Sequence, residues 1–451
     1  MMSLLEIIVY LVCIASDEMA KFKEEHGRGI RQVVERSLCT GCGTCTSVCK
    51  SQAITMVLND EIGIFTPEVI DERCTECGLC YDVCPGHCVD LDRLSSEISK
   101  NAPFHSRFGG YFSISKGNST DDDIRIASSS GGLVTSILLL ALEKGWIDGA
   151  LVTIMKSSSP FEPEAIVANT AEMILSAARS KYCPVPLNEA LRYLIDNEGR
   201  YAVVGLPCHI HGIRKAAELI PELRERIVYH IALVCNHTPT MLATEYVLDR
   251  NRISRSDVKA IQYRGHGWPG ELRVELKDGS TRAVPLESGS YWGFAFQKFF
   301  YPVRCTTCID KTCELSDLSF MDAWLPSLAN DRKGTSLVLS RTEAAQQLLE
   351  NSSRTGAIEL VPASEEDVEE SQSLDAALRS RLAMVDLLRR KGMIVPSYGR
   401  PIPRATHLDS IKARIFYIRV HLSMYRRFQT LIAFYEIAWK FGRRIRHRMN
   451  G

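Results

Sequence analysis

Two cysteine runs constrain this 451-residue chain more than any other feature. Cys39, Cys42, Cys45 and Cys49 are spaced C-x2-C-x2-C-x3-C, and Cys74, Cys77, Cys80 and Cys84 repeat that spacing thirty-five residues later. Two-residue gaps let three thiolates converge on three corners of one iron–sulfur cubane, while the fourth turns away to ligate the other cluster. The spacing therefore predicts one [4Fe–4S] cluster on Cys39, Cys42, Cys45 and Cys84, and a second on Cys74, Cys77, Cys80 and Cys49. Gly41, Gly43 and Gly78 suit a backbone bending tightly around a cluster. Pro85 follows the second run, whereas Lys50 stands where the first would carry proline. A zinc site would group four ligands as two pairs, and a disulfide framework would need an oxidising compartment. The chemistry these runs point to is electron transfer.

The length predicts two or three domains. Hydrophobic residues at 45% and charged residues at 24% describe an ordinary globular chain. A formal net charge of zero gives no overall attraction to nucleic acid, and none is expected as a partner. Of sixteen cysteines, the eight outside the runs are Cys13, Cys88, Cys183, Cys208, Cys235, Cys305, Cys308 and Cys313. Reduced thiols on this scale suggest a cytoplasmic location. Residues 4–16 are apolar but too short to span a bilayer, and they carry Glu6 where a signal peptide would be basic. They read as a short buried helix or as a start placed too far upstream.

The chain divides into an N-terminal extension (1–35), a two-cluster domain (36–92), a linker (93–125), an α/β domain (126–400) and a basic helical tail (401–451). Residues 17–38 are charged and read as helical, and 53–70 as a hairpin turning at Asn59-Asp60. Beyond the linker, a helix is expected over 133–144, strands over 149–154, 201–205 and 227–235, and helices over 188–197 and 208–219. A further hairpin is expected over 271–285 around Asp278-Gly279. This alternation predicts an α/β layer architecture with a central sheet.

Two groups of residues in that domain carry chemistry. Ser128 to Gly132 (S-S-S-G-G) opens a helix, where successive N–H groups can hold a phosphate or simply form an N-cap. Cys305-x2-Cys308 is a metal-ligand pair, and Cys208 and Cys235 each follow a predicted strand. Strand ends in an α/β sheet meet on one edge, so these four thiols could gather for a third [4Fe–4S] cluster, with Cys313 as an alternative fourth ligand. Four unrelated buried thiols are the competing reading.

The motif order then resembles the coenzyme F420 hydrogenase/dehydrogenase beta-subunit family, iron–sulfur flavoproteins, in the form with an N-terminal ferredoxin domain. The stretches that carry it include S-S-S-G-G-L-V-T-S-I-L-L-L, R-S-K-Y-C-P-V-P and V-V-G-L-P-C-H-I-H-G-I-R. They continue with Y-R-G-H-G-W-P-G and C-T-T-C-I-D-K-T-C-E-L-S-D-L-S-F-M-D-A-W-L-P. The resemblance covers about residues 39–400 in family order. It implies an α+β ferredoxin-like two-cluster domain followed by an α/β flavin-binding domain. It also implies FAD held partly by Ser129, Ser130, Gly131 and Gly132, with Lys181, Tyr182 and the turn from Gly205 through Pro207 to Cys208 nearby. It favours the third cluster on Cys208, Cys235, Cys305 and Cys308, while Cys183 and Cys313 depart from the family pattern. Arg264, Trp268 and Asp322 are the candidates for the substrate side, Trp268 as a stacking surface. His209, His211 and His266 could relay protons or be structural.

The implied activity passes electrons between reduced coenzyme F420, or a similar hydride carrier, and the clusters, with a partner subunit or ferredoxin beyond. A ferredoxin-fed flavin reductase of a pigment, lipid or sugar intermediate is the first alternative, and a non-catalytic electron-transfer subunit the second. Between Lys412 and Arg448 lie ten Lys and Arg against one acid, Glu436, interleaved with aromatic and aliphatic residues. Such a tail can lie on the inner face of an anionic membrane or pack on the main domain.

Overall fold

A computed structural model of the chain describes residues 29–105, 107–286, 291–424 and 428–437. The apolar run at 4–16, most of the predicted helix over 17–38 and the tail beyond 437 lie outside the described residues.

The first cysteine run wraps a short helix, α1 (Thr44–Val48). A hairpin, β1 (Ile54–Asn59) and β2 (Ile64–Val69), joins it to the second run. The strands pair antiparallel, with Ile54 opposite Val69 and Asn59 opposite Ile64. The turn is longer than Asn59-Asp60 alone, because the Asn59 side chain accepts from the Glu61 and Ile62 amides and Gly63 N–H closes on Asn59 C=O at 2.7 Å.

The stretch read as a linker is not one. Residues 113–119 form β3 (Ser113–Ser119), which pairs on both sides in the main sheet. Its sequence, S-I-S-K-G-N-S, looks like a loop because backbone pairing rather than apolar side chains holds it. Next come helix α2 (Leu133–Glu143), the antiparallel pair β4 (Gly149–Met155) and β5 (Pro163–Ala168), and β6 (Tyr201–Gly205). Helix α3 (Pro207–Leu219) begins with its proline in the first turn, where no intrahelical N–H is needed. Strand β7 (Ile227–Leu233) follows, and then a separate antiparallel sheet of β8 (Val258–Gln262), β9 (Glu271–Leu276) and β10 (Thr281–Pro285). The main sheet is completed by β11 (Leu318–Asp322), β12 (Ser336–Ser340) and, after helix α4 (Glu343–Arg354), β13 (Ile358–Pro362).

The eight strands run in the order β13-β3-β12-β11-β7-β6-β4-β5. At the centre β4, β6, β7 and β11 are parallel, flanked by antiparallel strands on both sides. A parallel core must be covered on both faces. One apolar layer joins α2 and α4 to the sheet through Leu133, Ile137, Leu348 and Phe320. Another joins the sheet to α3 and the cluster domain through Val203, Ile210, Ile213 and Val83. Helices α5 (Leu374–Arg390) and α6 (His407–Ser423) pack as a pair through Met384, Leu388, Ala413 and Tyr417.

Candidate functional site

The cluster loops are built from left-handed glycines. Gly41, Gly43 and Gly78 have φ of 70°, 83° and 75°, which turn the chain back around the thiols. At Gly43 a Cβ would also meet Glu189 N and Pro186 O at 2.9 Å, so the loop seats directly on the α/β domain. Burial, reinforced by the Cys42, Cys39, Cys84 and Cys80 thiols, pushes Cys45 well above its usual pKa. Burial and Cys42 push Cys84 up to about 12, and burial raises Cys80 beside Cys77 and Cys49. Cys39, Cys42, Cys45 and Cys84 are thus neighbours, and Cys49 and Cys77 both lie near Cys80. Burial and crowding both oppose uncompensated thiolates here, a cost that bound iron would offset. Gly41 N–H on Cys39 Sγ (3.4 Å), Ala53 N–H on Cys49 Sγ (3.3 Å) and Gly86 N–H on Cys84 Sγ (3.3 Å) are the hydrogen bonds that tune such ligands. Cys74 and Cys77 are exposed.

A second thiol group forms at the carboxyl edge of the parallel strands. Cys208 follows β6, Cys235 follows β7, and Cys305 and Cys308 approach from a one-turn helix (Val303–Thr307). Burial raises Cys208 strongly, helped in order by Cys42, Cys235, Cys305 and Cys308. Burial also raises Cys235, next to Cys305 and Cys308, and Arg381 opposes it. Cys313 stands apart from this quartet, fully buried in a group with His211 and Asp310. Its neighbours make it a packed thiol of a polar cluster, in which His211 Nε2 meets Asp310 Oδ2 at 2.7 Å. Cys183 is likewise fully buried, packed in the core with Tyr263 and Leu242.

Beside Cys235 opens a cavity of about 1420 Å³. Its lining includes Ser129, Ser130, Gly132, Lys181, Tyr182, Cys235, Arg264 and Asp322. Gly132, at φ 78°, caps α2, and Ser129 Oγ accepts from Ser180 N–H at 2.8 Å. Gly131 is a packing residue: its N–H donates to Ser336 Oγ at 2.9 Å, and a Cβ there would meet Gly117 O at 2.5 Å. Gly205 and Pro207 shape the turn into α3 behind the cavity, with a Gly205 Cβ meeting His209 and Leu187. Lys181 Nζ donates to Ala177 O (2.5 Å) and Ala178 O (2.9 Å), and burial lowers it to about 7.

Arg264 is buried, with its guanidinium on Asp322 Oδ2 (2.6 Å), Tyr182 Oη (3.0 Å) and Pro269 O (2.9 Å). Its remaining nitrogen has no partner among the described residues, an orphaned donor in a cavity wall. Trp268 does not line the cavity: it lies behind Trp324, the two rings 4.5 Å apart, and Trp324 forms the wall. His209 is structural, its Nδ1 accepting from Leu206 N–H and its Nε2 donating to Val185 O, and burial lowers it to about 4. His266 is exposed and bonded to Gln262, away from the cavity. Sequence reasoning missed Arg179, His237, Arg381, Lys412 and Arg419 as cavity residues. Only the fold brings those positions together.

Two thiol sets in series, ending at a roomy cavity on the carboxyl edge of a parallel sheet, define an iron–sulfur oxidoreductase that transfers electrons. Comparison with known proteins agrees. Residues 114–192 and 198–366 match the N-terminal and C-terminal parts of the coenzyme F420 hydrogenase/dehydrogenase beta subunit, and residues 38–88 match a 4Fe-4S dicluster domain. The chain belongs to that beta-subunit family. It is 28% identical over 267 residues to the coenzyme F420 hydrogenase subunit beta of Methanosarcina barkeri, covering 57% of this chain and 84% of that protein. It is 27% identical over 333 residues to the coenzyme F420-dependent sulfite reductase of Methanocaldococcus jannaschii, covering 71% of this chain. The chain spans less than half of that reductase, 46% of its length. The fold also matches a chain of the F420-reducing [NiFe] hydrogenase complex of Methanosarcina barkeri, with a TM-score of 0.52, 22% identity, and coverage of 66% of this chain and 99% of that one.

Proposed function

We propose that the chain holds FAD in the large cavity beside a third [4Fe–4S] cluster on Cys208, Cys235, Cys305 and Cys308. In this reading it passes electrons between reduced coenzyme F420, or a similar hydride carrier, and the ferredoxin-type clusters. One observation carries the reading: a single cavity is lined both by the Ser129–Ser130 turn and by Cys235. FAD, when bound, exchanges hydride pairs with organic substrates and single electrons with clusters. The Ser129, Ser130 and Gly132 backbone and Lys181 would meet its anionic part, and Arg264 and Asp322 would face the reacting region. Trp324 takes the stacking role that Trp268 was expected to fill. A partner subunit or ferredoxin takes or supplies electrons at the cluster domain, and the setting is the cytoplasm, where thiol ligands stay reduced.

A specific observation favours the alternative of a ferredoxin-fed reductase of another organic substrate. Arg381, Lys412, Phe416 and Arg419 line the cavity, yet they lie beyond residue 366, where the family match ends. The substrate side is thus partly built from elements outside the matched region.

Anaerobically purified protein tests the reading. About twelve iron atoms and one FAD per chain are expected, and Cys305→Ser should leave about eight iron atoms with the flavin retained. Oxidation of reduced deazaflavin by the holoprotein separates the first substrate class from the second. A preparation with clusters but no flavin sinks both.

A further inference from the structure

We propose that Arg304 and Arg381 are positioning residues that supply fixed positive charge to the third cluster and make it easier to reduce. The inference rests on the reading that Cys208, Cys235, Cys305 and Cys308 hold that cluster. Both guanidiniums are buried, at 4 and 6% exposure. Arg304 directly precedes Cys305, and its donors meet neutral oxygens: Gly86 O (2.7 Å), Pro85 O (3.2 Å) and Tyr398 Oη (2.8 Å). Arg381, on α5, donates to Asn236 O (2.8 Å) and Asn236 Oδ1 (3.1 Å), on the residue after Cys235. A ring backs each of them, Tyr398 at 5.4 Å from Arg304 and Tyr301 at 5.8 Å from Arg381. Among the described residues neither arginine pairs with a carboxylate, whereas buried Arg264 has Asp322.

A buried cation without a counter-charge is destabilising, and carbonyl or phenol oxygens satisfy its N–H groups without neutralising it. The groups beside both arginines are thiols. Burial raises Cys235, Cys305 and Cys308; Arg381 opposes that rise at all three, and Arg304 at Cys305 and Cys308. Asp310, which acts on Cys308 with the opposite sign, is itself bonded to His211 at 2.7 Å. Thiolates on a cubane would supply the missing negative charge. An added electron makes such a cluster more negative, so fixed cations stabilise the reduced form more than the oxidised one. Arg381 and Cys235 also both line the cavity, so the charge acts where cluster and cavity adjoin. Arg381 lies beyond residue 366, where the family match ends.

Anaerobic redox titration of the full-length holoprotein, followed by electron paramagnetic resonance, tests the proposal. The reduced-cluster signal missing from Cys305→Ser identifies the third cluster. In Arg381→Gln that signal should appear at a potential lower by at least about 59 mV, a tenfold change in a one-electron equilibrium. The other two clusters should keep their potentials, and iron should stay at the parent level. Arg304→Gln should move the same signal in the same direction. Arg381→Lys, which keeps the charge, should move it less than about half as far. A parent with only about eight iron atoms would remove the cluster reading and this inference with it. With about twelve present, an unmoved potential in both glutamine variants, a shift shared by all three clusters, or a lysine variant as low as Arg381→Gln overturns the inference alone. Loss of the third cluster's iron from Arg381→Gln does so too, because the arginine would then be holding the ligand loop.

Discussion

Lys181 is the residue whose environment says most about what the cavity is for. Its ammonium points at two backbone carbonyls beside the Ser129 turn, and burial, with Arg179 adding to it, lowers it to about 7. A lysine held so low is charged below that pH and largely neutral above it. An anionic ligand at this end of the cavity favours the charged form, so its affinity should fall as pH rises through about 7. Titration of apoflavin protein with FAD should give binding about tenfold weaker near pH 8.5 than near pH 6. Lys181→Met should bind weakly and with little pH dependence. A parent affinity that is flat with pH would remove Lys181 from the flavin site. Arg264 makes the complementary point: its ion pair with Asp322 and its bond to Tyr182 leave one nitrogen over, so the polar wall is set before any ligand arrives.

At the scale of elements, the turn between β3 and α2 decides whether the Ser/Gly stretch can serve a ligand. Gly131 sits where a Cβ would lie 2.5 Å from Gly117 O and 2.8 Å from Ser336 N, both backbone atoms of paired strands. Gly131→Ala must therefore push β3 and β12 apart or displace the turn. A loss of about 1–3 kcal/mol is expected in denaturant unfolding. Flavin content should drop while iron content holds, since the cluster domain is built elsewhere. How much of this was legible follows from how local each pattern is. The ferredoxin cysteines announce a two-cluster domain because the spacing within each run is local, and residues 38–88 match one. The helix over 133–143 and the strands over 149–155 and 201–205 are contiguous apolar runs, and they lie within a residue or so of expectation. Strand β3 was hidden, with Ile114 as its only large apolar residue, because its place is fixed by hydrogen bonds to β12 and β13. Nothing local distinguishes Trp268 from Trp324, and only the fold decides which of the two touching rings faces the cavity. Helices α5 and α6 reach the cavity through a tertiary contact that no local period encodes.

Across the described residues, the candidate ligand thiols follow one another from the surface to the cavity. Cys74 and Cys77 are exposed, Cys77 and Cys49 neighbour Cys80, and Cys80 neighbours Cys45. Cys42, of the first run, lies close enough to act on Cys208, which in turn neighbours Cys235 at the cavity. Buried hydrogen bonds tie the two halves together. Fully buried Asn188 donates to Thr44 Oγ1 (2.8 Å) and His209 O (2.9 Å), its own N–H meets Cys42 O at 2.9 Å, and Lys215 Nζ meets Cys84 O at 2.9 Å. A relay of single electrons needs such fixed spacing, whereas a regulatory domain would not need its metal ligands pressed against the partner domain's thiols. That succession narrows at the first cluster site, where Cys45 has four thiol neighbours. Cys45→Ser should therefore divide the molecule functionally. Reduction of bound flavin by reduced ferredoxin, followed anaerobically by absorbance, should slow at least about a hundredfold, a barrier increase of about 2.7 kcal/mol. Reduction by an organic hydride donor, which reaches the cavity directly, should continue at the parent rate. If ferredoxin still reduced the variant quickly, electrons would be entering beside Cys235 without using the N-terminal clusters, and the dicluster domain would need another purpose.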